Sequence, residues 1–393
     1  DDIGIVAIPH LSRDLMAVFD GPGSYYGTHP QNILRGMVYE NGEIPYFKNL
    51  VDQYRALHKY NRGYAYNMMF VGPGWMSKSG RWESDYNLLL KSYKDAMAYY
   101  GELKRKGELQ DLTMSEFADI YRQEHTYTQP ECALWKDILY GSRRQMFWYA
   151  DPWMRFCLDM NQGGAMVDLR PYAAKLVRPC GVGTKANQDA SYPYLVQSLY
   201  RAGYFTHYAG EGAVKSCKIS HGSEQVDLCT CRTLAGFSEE GQTRILTLDP
   251  VTIEFEDVVI KVQSIFRLTE GSGEIEIIRR IIESSDPQAE FTVDEYLTGC
   301  YGTTEYPEDL SGVRLRLVSS AGVDAIEYAY KCREAELEDI QRVEALIPQV
   351  DTLLTMQADG HASGYYREGF SFSPMYTIGI KKSVKLNGEL RTW

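Results

Sequence analysis

A chain of 393 residues with a net charge of −12 is too long for one ordinary core and too acidic to carry a broad basic surface. Two domains are expected, and nucleic acid and anionic membrane are excluded as main partners. Hydrophobic content of 44% and charged content of 24% are those of a soluble globular protein.

In chain order, Ile3 to Ile8 is a nearly continuous apolar run, the pattern of a strand buried on both faces. Pro9 and His10 end it. Leu15 to Phe19 is a second such run and delivers Asp20 into FDGPGSYYGTHPQN, Phe19 to Asn32. Its glycines permit backbone that other residues resist, and Tyr25 and Tyr26 offer flat faces with polar tips. From Gly42 to Asn61, Phe47, Leu50, Val51, Tyr54 and Leu57 recur at helical spacing, with Gly63 as the stop. Ala65 to Trp75 predicts a third strand, broken by Gly72-Pro73-Gly74. Ser84 or Asp85 caps a helix running to about Lys104, with Tyr86, Leu89, Leu90, Tyr93, Met97 and Tyr100 on one side. Thr113 and Glu116 have capping-box spacing for a last short helix.

This order predicts an α/β barrel-like domain over residues 1–125, in which ligand groups sit where strands end. The opening at Asp1-Asp2, which enters a strand within three residues, is expected either where a leader has been removed or where the chain is a fragment of a longer protein whose earlier strands precede it.

From about Tyr127 the texture turns extended. Arg155 to Met160 and Ala165 to Arg170 flank a turn, Asn161 to Gly164, and predict a hairpin. Residues 126–213 form a connecting region with a long Gly- and Tyr-rich loop that carries His207. Residues 214–393 show alternating or β-branched runs at short spacing, which predict an antiparallel β-sandwich domain. Ala335 to Ile347 fits either a helix or a charged strand.

Strand ends and the loop after them gather His10, Asp20, His29 and Trp75. Asp20, His29 and His10 are candidate proton-handling groups, with Asp85 as a partner acid; Asp14, Glu43 and Glu83 have the same chemistry. Tyr25, Tyr26 and Trp75 are candidate stacking platforms, and His207 is a candidate contact from the long loop. Thirty tyrosines against 13 phenylalanines suit a ligand that is flat and polar, and a saccharide is expected. The eight cysteines are scattered. Cys229 and Cys231, one residue apart, share a face if they lie on a strand, but no second pair or histidine stands at ligand spacing. No metal or other cofactor is expected, and free thiols suit a reducing compartment. With no signal-peptide pattern and no membrane-length apolar stretch, the expected location is cytoplasmic.

The first 125 residues, with a strand ending near a tryptophan, a helix, and then TMSEFADIYR (Thr113 to Arg122), resemble the later part of the barrels of polysaccharide deacetylases and alpha-mannosidase-like glycoside hydrolases. The β-rich remainder is similar to the sandwich that follows such barrels. The resemblance implies carbohydrate chemistry. A deacetylase would also show a metal-binding pair of histidines, which is missing after Asp1-Asp2, so a metal-free carboxylate mechanism is the one implied. The expected activity is hydrolysis of a glycosidic bond at the barrel mouth. The alternatives are a non-catalytic carbohydrate-binding or structural protein with a degenerate barrel, or one piece of a larger carbohydrate-active enzyme. A homo-oligomer or a complementary chain is a further expected partner.

Overall fold

The computed structural model describes residues 6, 14–16, 45–69, 77–79, 83–125, 128–139, 141–171, 195–197, 213–299, 312–329, 331, 333–348, 351–369 and 375–393. The chain divides into two compact units, one formed by residues up to Arg143 and the other by residues from Arg144 onward, except that Tyr200–Ala202 belong to the first.

In the first unit, helix α1 (Pro45–Ala56) buries Tyr46, Phe47, Leu50, Val51 and Tyr54. Their three- and four-residue spacing puts them on one face. A single 3-10 turn, Leu57–Lys59, follows, and Gly63 has φ +90°. Helix α2 (Tyr86–Arg105) buries Leu89, Ser92, Ala96 and Leu103. Its stripe is therefore rotated from the predicted one, and Met97 is exposed. Helix α3 (Met114–Glu124) starts at the expected capping box: the backbone N–H of Glu116 donates to Thr113 Oγ1 at 3.2 Å, and that of Thr113 donates to Glu116 Oε2 at 2.7 Å. Strand β1 (Glu131–Lys136) carries Trp135 into the core edge-on to Tyr54.

The α/β barrel is not there. The described part of this unit is three helices and one strand, and the strand pairs whose register is described are antiparallel. The predicted strand over 65–75 shows why. Residues 65–69 make no strand, and the remainder of that stretch lies outside the described residues. Tyr66 instead packs its ring against Phe117 of α3, and its neighbour Tyr64 packs against Phe117 and Tyr121. An aromatic-rich run was expected to enter a sheet; its rings pack on a helix. The runs at Ile3 to Ile8 and Leu15 to Phe19 lie almost wholly outside the described residues.

The second unit is antiparallel β throughout. Its large sheet contains, in spatial order, β2 (Gln145–Ala150), β3 (Met154–Asp159), β4 (Ala165–Pro171), β6 (Val214–His221), β13 (Phe291–Gly299), β20 (Tyr376–Val384), β19 (Ser363–Glu368) and β16 (Glu334–Leu337). Two short strands, β5 (Val196–Gln197) and β7 (Glu224–Asp227), lie on β4 and β6. A second sheet runs β21 (Glu389–Thr392), β12 (Ile275–Ser284), β11 (Val259–Thr269), β9 (Thr243–Leu248) and β8 (Ala235–Glu240), with β10 (Val251–Glu254) on β11. A third runs β15 (Gly322–Glu327), β14 (Arg314–Ser319), β17 (Ile340–Ile347) and β18 (Thr352–Gln357). Ala335 to Ile347 is thus two strands, parted at Asp339, whose φ is +51°.

The large sheet packs one face on the other two. Phe147 of β2 meets Phe237 of β8, and a Cβ on Gly364 of β19 would lie 2.7 Å from Ile340 and Val343. This sandwich-like stacking agrees with the predicted β-sandwich. Cys229 and Cys231 do not lie on a strand: Leu228–Thr230 is a 3-10 turn that starts at Asp227, whose carboxylate accepts from the Cys229 N–H at 3.0 Å.

Candidate functional site

Strand β13 sets up a two-faced sheet. Successive side chains point to opposite faces, so Phe291, Val293, Glu295 and Leu297 share one face, and Thr292, Asp294, Tyr296 and Thr298 share the other.

On the inner face Glu295 meets β12 of the second sheet. Arg279 donates from Nε at 2.9 Å and from Nη2 at 3.2 Å, and Lys215 of β6 donates to Oε1. Glu295 is fully buried. Burial alone would raise its pKa, but Arg279 and Lys215 outweigh it and hold the carboxyl down at about 2. Burial in turn lowers the Lys215 ammonium, against the pull of Glu295. This triad fastens two sheets together.

The outer face carries the candidate site. The register aligns Asp227 of β7 with Lys218 of β6, Lys218 with Asp294 of β13, and Asp294 with Lys381 of β20. Acid and base therefore alternate across four neighbouring strands, where cross-strand side chains stand about 5 Å apart. The next row holds Ser216, Tyr296, Gly379 and Tyr365. Because Gly379 has no side chain, the ring of Tyr365 lies over it; a Cβ there would be 2.4 Å from the ring. From that position the Tyr365 hydroxyl reaches both Asp294 oxygens, at 3.0 and 3.2 Å.

The other acid of the row is engaged in the same way. Asp227 accepts from the Tyr296 hydroxyl at 2.6 Å and from the Ser216 hydroxyl at 2.9 Å. The Lys218 ammonium stands 4.9 Å from the centroid of the Tyr296 ring, and that of Lys381 stands 4.6 Å from the Tyr365 ring. Lys381 also pairs with Glu336 at 2.8 Å. Asp294 is only 5% exposed. Its desolvation outweighs the Tyr365 hydrogen bond and the two lysines, and its pKa rises to about 6. Burial likewise raises the Tyr296 and Tyr365 hydroxyls, with Asp227 and Asp294 adding to it, so both stay protonated donors. The result is a row of fixed donors and acceptors that carries a carboxyl poised near neutrality.

Of the residues singled out from sequence as site candidates, Asp85 and the alternative acids Asp14 and Glu83 lie among the described ones. Asp85 is half-buried at the start of α2 and makes no side-chain capping bond. His10, Asp20, Tyr25, Tyr26, His29, Trp75 and His207 lie outside the described residues. Asp14 proves to be an internal acceptor, 2% exposed, taking hydrogen bonds from the Tyr46 hydroxyl at 2.6 Å, from the Met16 N–H at 2.9 Å and from Trp135 Nε1 at 3.0 Å. No group of three or more potential metal ligands occurs among the described residues, and no described helix is long and apolar enough to cross a membrane. The residues of the outer face went unremarked in the sequence, although TVDEYLT shows both rows as alternate letters.

No family model matches the sequence, and no curated protein matches it. Solved structures give partial likenesses. A 4-alpha-glucanotransferase from Thermococcus litoralis is 11% identical with a TM-score of 0.39, over 67% of this chain and 39% of that one. A putative aldose 1-epimerase from Klebsiella pneumoniae is 9% identical with a TM-score of 0.42, over 69% of this chain and 84% of that one. A galactose mutarotase-like protein from Clostridium acetobutylicum is 7% identical with a TM-score of 0.35, over 68% of this chain and 98% of that one. The chain thus spans about two fifths of the glucanotransferase's length. These neighbours are carbohydrate-related proteins, and none of them assigns a role to a residue here.

Proposed function

We propose that the second unit binds a saccharide on the outer face of its large sheet, around Asp294. The observation that carries this reading is the row Asp227, Lys218, Asp294, Lys381 with Tyr296 and Tyr365 beside it. Saccharide hydroxyls both donate and accept, and a row that alternates carboxyl with ammonium offers both at each strand spacing. The tyrosines add aromatic edges and polar tips. Half-buried Lys218 and Lys381 form the accessible rim, while Asp294 and Asp227 hold the lysines and tyrosines in register.

Binding is proposed rather than bond cleavage. Both carboxyls of the row are already engaged by tyrosine hydroxyls, which suits positioning a ligand. A glycosidic cleavage needs two free carboxyls facing one bond.

The test is a calorimetric and NMR titration of glucose, galactose and maltotriose against the protein and against Lys218→Ala and Lys381→Ala. The reading expects amide shifts at Lys218, Tyr296 and Lys381, and affinity at least about tenfold weaker in each variant. If none of the three sugars moves those amides, the assignment of a saccharide to this face is wrong.

A further inference from the structure

Away from the outer face, a cavity of about 280 Å³ opens in the second unit, with Trp153, Leu169, Gly273, Asp351, Thr352 and Leu353 among its walls. Gly273 belongs to the second sheet's β11–β12 turn and Leu353 to β18 of the third sheet, and both sheets stack on the inner face of the large sheet, so this cavity lies across that sheet from Asp294. Trp153 and Leu353 are each 51% exposed.

The tryptophan is held in place by a built turn. Buried Asp151 accepts at Oδ1 from the backbone N–H groups of Trp153, at 2.7 Å, and Met154, at 2.8 Å, and at Oδ2 from the Tyr149 hydroxyl at 3.1 Å. Gly273, in the turn between β11 and β12, brings its backbone against the indole: a Cβ there would lie 3.7 Å from the ring. Its φ of +67° is one that glycine accepts without strain. Thus one turn fixes the Trp153 backbone, a second lies against its exposed indole, and Leu169, Asp351 and Thr352 line the same cavity.

We infer that this cavity is a second saccharide subsite that takes one pyranose ring stacked on Trp153. The inference rests on the reading that the second unit binds saccharides. A pyranose has an apolar C–H face and a hydroxyl edge; the indole takes the first, and Asp351 and Thr352 take the second. The volume lies just below that of pockets for drug-sized ligands, which fits a single ring and not a longer chain.

The experiment titrates glucose, galactose and maltotriose into the wild-type protein, Trp153→Ala and Lys218→Ala, following backbone amide shifts. The wild type should show two separate groups of shifts, one at Gly273 and Leu353 and one at Lys218 and Tyr296. Trp153→Ala should weaken the first at least about tenfold and leave the second unchanged, and Lys218→Ala should do the reverse. Leu353→Glu changes an exposed side chain and should give the same result as Trp153→Ala if the latter fails to fold. Shifts confined to Lys218 and Tyr296, or shifts at Gly273 that survive Trp153→Ala and Leu353→Glu, overturn the subsite and leave the outer-face reading standing. Shifts at Gly273 alone overturn the outer-face assignment and keep the subsite, and no shifts at either place overturn both.

Discussion

Asp294 and Glu295 are consecutive on one strand, and their carboxyls are driven in opposite directions. Asp294, with only a tyrosine hydroxyl on its oxygens, is pushed up to about 6 by burial. Glu295, still more deeply buried but clasped by Arg279 and Lys215, is held down at about 2. The difference follows from the partner each face supplies.

The first prediction concerns pH. A carboxyl whose pKa is higher in the folded state binds its proton more tightly there. The native state then holds more protons than the unfolded chain between about pH 4 and pH 6, so stability from Asp294 falls as pH rises through that window. Asp294→Asn removes this dependence. Relative to wild type, the variant should gain about 2–3 kcal/mol between pH 4 and pH 7. Urea unfolding at the two pH values measures it, and a constant difference would contradict the raised pKa.

Glu295 predicts the opposite slope. Its depressed pKa stabilises the fold above about pH 4, and that contribution is lost as pH falls towards 2. Glu295→Ala leaves Arg279 and Lys215 buried without an acid and should cost about 3–5 kcal/mol. Glu295→Gln keeps one acceptor oxygen for Arg279 and should cost less. Denaturant midpoints of the two variants decide whether charge or shape dominates.

Gly379→Ala tests how Tyr365 reaches its partner. The new methyl would occupy space taken by the ring, so either the ring or the strand must shift, at about 1–3 kcal/mol. Losing the hydroxyl should also raise the Asp294 pKa further, since that hydrogen bond lowers it. Tyr365→Phe should reproduce the pKa rise without the clash. Carboxyl carbon shifts followed through a pH titration separate the two effects.

In the first unit, Asp14→Ala should leave the Tyr46 hydroxyl, the Trp135 indole N–H and the Met16 amide without their shared acceptor. A loss of about 2–3 kcal/mol is expected. The urea unfolding midpoint measures it, and an unchanged midpoint would show that water replaces the carboxylate.

Much of the second unit was legible in the sequence, and the reason is period. Val259–Thr269 alternates in burial along its length and Ile275–Ser284 is rich in β-branched residues, and the two are strands paired to each other. The strands at Ala235–Glu240, Ser363–Glu368 and Glu389–Thr392 were not singled out. They are short and rich in small or charged residues, and the sheet alone gives them partners. The barrel misreading arose where apolar runs looked like buried strands; for Tyr64 and Tyr66 the winning interaction was aromatic packing on a helix. The row on the outer face could not be found from one strand. Lys218, Asp294 and Lys381 are far apart in sequence, and only register brings them into line.

That row also acts as an alignment key. A slip of β13 by one residue would turn Glu295 outward and Asp294 inward. Moved one way, Asp294 would stand in the place of Glu295 and Val293 would come between Lys218 and Lys381; moved the other way, Glu295 would come between the lysines and Tyr296 would face Arg279 and Lys215. Because two adjacent acids are answered on opposite faces, a one-residue slip in either direction leaves one of the two faces without its acid. The residues proposed to greet a ligand therefore also proofread the pairing of the strands that display them.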